Sequence, residues 1–387
     1  MDFQLTAEQR MWRKAVHDFT ASEIKPRREE INEEELIPWD VIRKMGPMGL
    51  LGMSVSEDHG GSNLDPLSAA LAIEELGWGD GGLALTIEAH NELGCAAVAL
   101  FGTEEQKDRF LPPVVSGNGK LAALALTEPQ AGSDLKNIRT RAVKEDRGWK
   151  VTGCKAWITN AGDAEFIVTL VVTSPDEGTR GMSMLLIPTD SPGLSIAPPE
   201  KKMGAGGTHS HEVSFEGVRV PDENLLGKEN QGLKQTLQVL DGGRISVGAL
   251  SVGIAQAAME ESLTYAKERQ AFGKPIADHQ AVQWMLADAA TEIHAARLLV
   301  YYAAWLKTQD LSFTRAGAMA KLYATEMAER VTRNAIQIHG AYGYSREYPV
   351  EGMYRSARLM TIGEGTSEIQ RLVIAREVLR DGTITLR

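Results

Sequence analysis

Glu364 stands between two glycines in the run Ile362-Gly-Glu-Gly-Thr-Ser-Glu-Ile-Gln-Arg371. A carboxylate flanked in this way has little side-chain cover over its own backbone and can face a narrow slot closely. Ser367 and Gln370 then fit the S-x-x-Q capping box that opens a helix. The run reads as loop, carboxylate, helix N-terminus, with free backbone N–H groups beside the acid. Such a group can serve as a general base. The same residues would also make an ordinary capped helix with an exposed glutamate before it, and this segment alone does not decide.

Two further segments carry chemistry-bearing side chains. In Ala125-Leu-Thr-Glu-Pro-Gln-Ala-Gly-Ser-Asp134, Thr127 and Ser133 supply hydroxyls, and Gly132 allows close backbone approach to a flat ligand. In Trp157-Ile-Thr-Asn160 an aromatic plane and a hydroxyl lie two residues apart, and so on the same face of a strand. A polar turn and a half-buried barrel wall are the plainer readings. Gly77-Trp-Gly-Asp-Gly-Gly82 matches G-x-G-x-x-G formally, but it follows the helical run Ala70–Leu76 rather than a strand. It reads as a helix end and turn, not a dinucleotide site. His209 and His211 form an H-x-H in a Gly-rich loop; no third ligand follows at a recognisable spacing, so surface histidines and no metal ligands are expected.

The elements that must position these groups fall into three textures. From Thr6 to about Pro112 the pattern is helical; Thr6 and Gln9 open the first helix, and Pro66–Leu76 and Asn91–Phe101 show apolar spacing of three and four. From about Lys120, short β-type runs are broken by Gly, Pro, Asp and Asn: Trp149–Gly153, Glu165–Thr173, Met182–Pro188 and Glu212–Phe215. Helical periodicity returns over Leu233–Arg269, His279–Thr308, Ser312–His339 and Thr366–Arg380. The expectation is an α+β chain of three domains. These are an all-α domain at 1–119, an antiparallel β-barrel or sandwich at 120–228, and a four-helix bundle at 229–387.

Composition bounds the rest. The 387 residues are 43% hydrophobic and 24% charged, as in ordinary globular proteins. A net charge of −11 speaks against binding to nucleic acid or anionic membranes. Cys95 and Cys154 form no C-x-x-C pair, which suits a reducing compartment. The first residues lack signal- or transit-peptide features, and no apolar run reaches membrane-spanning length, so a cytoplasmic protein without membrane insertion is expected.

Taken in order, seven segments resemble the acyl-CoA dehydrogenase family over essentially the whole chain. They are Thr-Glu-Pro-x-Ala-Gly-Ser-Asp134, Trp157-Ile-Thr-Asn160 and the Lys202–Pro221 stretch ending Phe-Glu-Gly-Val-Arg-Val-Pro. Leu240-Asp-Gly-Gly-Arg244, Glu268-Arg-Gln-Ala-Phe-Gly273 with Gln280, Gln337-Ile-His-Gly340 and Glu364-Gly-Thr-Ser-Glu-Ile-Gln370 complete the set. The resemblance implies FAD as cofactor. Leu126, Thr127, Gly132, Ser133, Trp157, Ile158 and Thr159 would hold the isoalloxazine ring and ribityl arm, with Thr366 and Glu368 near the same FAD. Arg269, Phe272, Gln280, Gln337, His339 and Gly340 would reach the adenine end of a FAD held mainly by a neighbouring subunit, implying a homo-oligomer, usually a tetramer. Asp241, Arg244, Ser133 and Gly365 would contact the acyl-CoA, and Glu364 would be the base.

The implied reaction is α,β-dehydrogenation of an acyl-CoA to the trans-2-enoyl-CoA, with electrons passed to an electron-transfer flavoprotein. The backbone N–H of Glu364 and a ribityl hydroxyl would stabilise the enolate oxygen. An acyl-CoA oxidase and a non-metabolic, DNA-associated relative are the alternatives; the negative charge opposes the second. Some positions depart from the family's pattern: Gly206 where many relatives carry arginine, Ser210 for threonine, and Ala341 for a second glycine. Gly363 replaces the tyrosine of several straight-chain relatives, which leaves acyl preference open. The family's second base position, just before the arginine of Leu-Asp-x-x-Arg, holds Gly243 and is empty.

Overall fold

The computed structural model describes residues 4–381. Its first part is helical: α1 (Ala7–Phe19), α2 (Arg28–Glu33), α3 (Trp39–Met45), α4 (Pro66–Gly79), α5 (Gly81–Glu88), α6 (Ala96–Phe101) and α7 (Glu104–Val115). Thr6 and Gln9 make the expected reciprocal capping box at α1. The stretch read as one helix from Asn91 is instead a π-helical segment, Ala89–Cys95, running into α6. Gly77–Gly82 contains no phosphate loop: α4 ends at Gly79, and Asp80 caps α5 by accepting from Leu83 N at 2.8 Å.

The middle of the chain builds one sheet from β1 (Leu121–Ala125), β2 (Arg141–Glu145), β3 (Gly148–Thr159), β4 (Ala164–Val172), β5 (Met182–Pro188), β6 (Leu194–Ile196), β7 (Ser210–Pro221) and β8 (Leu225–Leu226). The order is β6-β7-β3-β2-β4-β5-β8, with β1 beside β4. The expectation of a purely antiparallel sheet needs correction, because β1 runs parallel to β4. All five β1 residues are buried, so this apolar run suits an interior parallel strand covered on both faces.

Helices α8 (Gly232–Glu268), α9 (Gln280–Thr308), α10 (Thr314–His339) and α12 (Ser367–Asp381) form the C-terminal bundle. The short helix α11 (Val350–Met360) adds an element that the sequence reading did not single out. A two-residue ladder, β9 (Gln270–Ala271) with β10 (Lys274–Pro275), projects Phe272 at its tip. The largest apolar cluster crosses the domains, joining Ile24, Leu76 and Ile87 to Leu250, Ile254 and Met327. Glycines permit that junction: a Cβ on Gly77 would come within 2.6 Å of the Leu250 carbonyl, so α4 and α8 cross nearly backbone to backbone. A second cluster packs Phe110 of α7 against Phe166 of β4, and a third fills the sheet's other face with Val151, Ile167, Leu185 and Phe215.

Candidate active site

The loop between α11 and α12 carries Glu364 in the left-handed region, at φ 53, followed by Gly365 at φ 92. A glutamate in that conformation needs outside support. Lys321 of α10, itself buried, supplies it by donating to the carbonyls of both Gly363 and Gly365 at 2.5 Å. Gln370 Nε2 also donates to the Gly365 carbonyl, at 2.9 Å. The expected Ser367–Gln370 capping box is corrected here. Thr366 is the cap, accepting from Ile369 N at 3.3 Å, so Ser367 is the first helical residue and its hydroxyl is buried without a partner.

Glu364 is half-buried as a residue, yet its Oε2 is enclosed and finds no hydrogen-bond partner. Facing it is Glu88, at the end of α5, whose two carboxyl oxygens are likewise buried and, while both acids are ionised, unpartnered; only a protonated Glu88 has a hydrogen to donate to Glu364. Burial above all, then the neighbouring Glu364 charge, pushes the Glu88 carboxyl well above the usual carboxylate range. Burial also raises Glu364, while a hydrogen bond from protonated Glu88 and the charges of Lys321 and Arg244 oppose that rise and Glu92 reinforces it. Burial lowers the Lys321 ammonium to about 8, against the pull of Glu364. Neither Glu88 nor Lys321 was singled out from the sequence. The available signal was a charge inside an apolar pattern: Lys321 among Ala318, Ala320 and Ala324 on α10, and Glu88 directly after Leu83–Ile87.

On α8, Gly243 lies against the Glu364 carboxylate, and a Cβ there would also stand 3.4 Å from Leu93 and 3.5 Å from Glu88 Oε1. A Cβ on Gly242 would meet Lys307 Nζ at 3.1 Å, whereas Gly248 serves helix packing, against Val300 at 3.0 Å. Asp241 pairs with Arg244 and accepts from Thr314 Oγ1 at 2.6 Å. The Arg244 Nε is buried and unpartnered.

The residues expected at the flavin fall on one stretch of the β domain. Leu126 and Thr127 are half-buried, and Gly132 and Ser133 are exposed. The loop is shaped from beneath by Glu128, which accepts from Lys155 Nζ at 2.9 Å, Arg139 N at 2.7 Å and Thr140 N at 2.9 Å. Burial would raise that carboxyl, but Lys155 and these donors hold it at about 2. Trp157 is 57% exposed at φ 61, where the β3–β7 ladder slips between Lys155 and Ile158. Regular alternation is therefore broken at Trp157, and the bulge leaves the indole turned outward. The Ile158 side chain is buried in the sheet core and leaves only its backbone for a ligand. An outward indole, two adjacent hydroxyl residues and the open backbone at Gly132, where a Cβ would meet nothing within 4 Å, fit a flat ring system. Thr366 and Glu368 line a cavity of about 440 Å³ with Arg330, Arg333 and Arg358.

The set expected to serve a neighbour's cofactor clusters elsewhere. Arg269 lies 5.7 Å over the Tyr342 ring, and Arg269, Gln280 and Gln337 are exposed. Phe272 is 96% exposed at φ 55, and Gly340 follows the end of α10 at φ 62. His339 differs: it is buried, stacked 4.3 Å from Tyr265, and its Nδ1 donates to Ala335 O at 2.8 Å. Its side chain belongs to the core. His209 and His211 are not surface residues either, since His209 is half-buried and His211 buried, with Asp163 beside them.

A helical–sheet–helical chain with an enclosed, elevated carboxyl on a clamped loop has the parts of an enzyme that moves a proton away from water. The comparisons make this specific. The acyl-CoA dehydrogenase N-terminal domain matches residues 6–118, the middle domain 123–218 and the C-terminal domain 230–379. A probable acyl-CoA dehydrogenase of Bacillus subtilis is 49% identical over 98% of this chain and 100% of its own. The caffeyl-CoA reductase subunit of an Etf complex from Acetobacterium woodii is 40% identical over 96% of this chain and 98% of its own. The butyryl-CoA dehydrogenase structure from Megasphaera elsdenii superposes with a TM-score of 0.95 at 40% identity, covering 98% of this chain and 100% of that one. The chain belongs to the acyl-CoA dehydrogenase family: it is a flavoprotein oxidoreductase acting on CH–CH donors, and its cofactor is FAD. Among the described residues, no helix is long and apolar enough to cross a membrane.

Proposed function

We propose that this chain converts a short acyl-CoA thioester and its trans-2-enoyl-CoA into one another, with Glu364 exchanging the α-proton and an electron-transfer flavoprotein exchanging the electrons. The observation that carries this reading is the Glu364 carboxylate itself: enclosed, unpartnered at Oε2, and fixed by the Lys321 clamp on its flanking carbonyls. An α-proton beside a thioester is weakly acidic, so its acceptor must be poised near working pH and shielded from water. Burial shields the Glu364 carboxyl from water and raises its pKa above the usual carboxylate range. Bound FAD supplies the acceptor for the β-hydrogen, which leaves as hydride. Glu364 holds the α-proton and returns it in the reverse direction.

The remaining assignments follow the same reading. Leu126, Thr127, Gly132, Ser133, Trp157, the Ile158 backbone and Thr159 hold the flavin end, with Thr366 and Glu368 close to it. Arg269, Phe272, Gln280, Gln337 and Gly340 serve the adenine end of a neighbour's FAD, since a guanidinium fork matches phosphate oxygens. Asp241, Arg244, Ser133 and Gly365 contact the CoA ester. The exposure of Phe272, Trp284, Trp305 and Tyr344 on the C-terminal domain supports an oligomer, with a tetramer as the assembly proposed. Gly363, whose Cβ position meets only Leu359 O at 3.7 Å, leaves open space beside Glu364 and supports room for a branched chain. The relative within an Etf complex supports the flavoprotein partner over dioxygen. The test is anaerobic titration of the holoenzyme with a panel of acyl-CoA esters. Bleaching by butyryl-CoA or a branched C4–C5 ester, with rapid reoxidation by electron-transfer flavoprotein and slow reoxidation by air, is expected. Flavin that stays oxidised with every ester would refute the reading.

A further inference from the structure

Asp163, His209 and His211 meet where the turn after β3 touches the start of β7, with their ligating atoms all within 4.8 Å of one another. Asp163 closes the 3₁₀ turn Ala161–Asp163, and its Oδ2 lies 3.5 Å from His209 Nδ1. Each histidine uses its other ring nitrogen on a backbone carbonyl. His209 Nε2 bonds to Glu35 O at 2.7 Å, and His211 Nδ1 to Ala197 O at 2.8 Å. Carbonyl acceptors at those nitrogens fix the tautomers so that His209 Nδ1 and His211 Nε2 present lone pairs. This arrangement, with the outer N–H on a carbonyl and the inner nitrogen free, is the one that orients metal-bound imidazoles.

His211 supplies the independent observation. It is 5% exposed, and its Nε2 is buried with no hydrogen-bond partner. An ion pair between His209 and Asp163 would satisfy those two residues but leave this buried nitrogen without a partner, which is unfavourable. The turn is shaped to admit the ring, since a Cβ on Gly162 would stand 2.7 Å from His211 Cε1 and 2.8 Å from Nε2.

We propose that Asp163, His209 and His211 bind a divalent transition-metal ion, with zinc the ion of choice. Two imidazole nitrogens and one carboxylate oxygen suit zinc and disfavour magnesium or calcium, which take oxygen donors. At metal–ligand bonds of about 2.0–2.2 Å, tetrahedral neighbours sit about 3.3 Å apart. The His209–Asp163 separation already fits, and the widest pair must close by roughly 1.5 Å, within reach of side-chain rotation. Three protein ligands leave a fourth position for water. The ion would tie the 161–163 turn to the β7 strand and, through Glu35 O, to the N-terminal domain. Both tied segments adjoin Trp157–Thr159: Asn160 N donates to His209 O at 3.0 Å, and His211 pairs with Ile158 in the β3–β7 ladder. The role is structural, stiffening one side of the flavin site.

Calorimetric titration of the chelator-stripped holoenzyme with zinc chloride tests this. One saturable site per chain is expected for the wild type and no heat beyond dilution with magnesium chloride. Asp163→Asn should weaken zinc at least tenfold, and His211→Gln should abolish saturable binding. Flavin absorbance and circular dichroism check that each variant is folded; if His211→Gln does not fold, Asp163→Asn, on a half-buried turn residue, decides. A wild type that takes up no stoichiometric zinc, or a folded Asp163→Asn that binds it as tightly as wild type, overturns the proposal.

Discussion

Gly243 of α8 faces the Glu364 carboxylate so closely that a methyl group at position 243 would overlap Oε2. The two places from which this family draws its base are thus neighbours in space, and a side chain at position 243 would press on the tip of the Glu364 side chain. The bare backbone at Gly243 lets the Glu364 carboxylate keep this position without shifting. Gly243→Ala is expected to keep FAD but slow flavin reduction at least tenfold, with a stability loss of about 1–3 kcal/mol from overpacking. Rapid-mixing reduction and thermal melts would check both. A Gly243→Ala enzyme reduced as fast as wild type would show that the contact is relieved without moving the base.

Glu88 should set the pH at which Glu364 works. The active base is ionised, so flavin reduction is expected to rise with pH through a pKa above the usual carboxylate range. Protonated Glu88 donates toward Glu364 and eases its ionisation. Glu88→Ala, which has no donor, should move the profile to higher pH, while Glu88→Gln, which keeps one, should leave it nearly in place. Stability gives the opposite sign. A carboxyl whose folded pKa is raised binds more protons folded than unfolded, so its contribution is fullest below about pH 4 and is lost as pH climbs towards the folded pKa. Glu88→Gln should therefore gain stability relative to wild type at pH 8 but not at pH 4, as denaturant melts at the two pH values would read.

Lys321 connects folding to chemistry, since one ammonium holds both carbonyls around Glu364. Lys321→Met fills similar space but leaves those carbonyls without that donor and the carboxylate without its nearest cation. A loss of about 2–4 kcal/mol is expected from two charge-assisted hydrogen bonds. The pH profile of reduction should shift upward as well, because Lys321 pulls the Glu364 pKa down. A stable variant with an unshifted profile would contradict the clamp.

How much of this was legible in the sequence depends on range. Local signals held: the Thr6–Gln9 box opened α1, and β5 spans Met182–Pro188 as read. Signals one residue apart were misread, as where Thr366 rather than Ser367 took the cap, because either hydroxyl can do so. The bulge at Trp157 was invisible because a left-handed residue inside a strand is set by the partner strand's register, not by its own type. Glu88 and Asp163 were missed for a further reason. Each gains its meaning from a group far along the chain, Glu364 in one case and His211 in the other, and only the fold brings them together.

Arg269 is exposed beside the Phe272 tip, as the proposed role at a neighbour's FAD requires. Arg269→Ala is expected to speed FAD release and to loosen the assembly together, followed by flavin fluorescence and light scattering on the same samples. A monomeric wild type with firmly held FAD would contradict this assignment.

The central claim is that Glu364 is the base. Glu364→Gln keeps the shape of the side chain and removes its capacity to take a proton, so FAD and CoA-ester binding should survive. Anaerobic stopped-flow bleaching of the flavin by a reactive acyl-CoA tests this most directly. Loss of a general base alone costs about 10²–10⁴-fold, and a fall of at least that size in the reduction rate is expected. Reduction of Glu364→Gln at close to the wild-type rate would contradict the account.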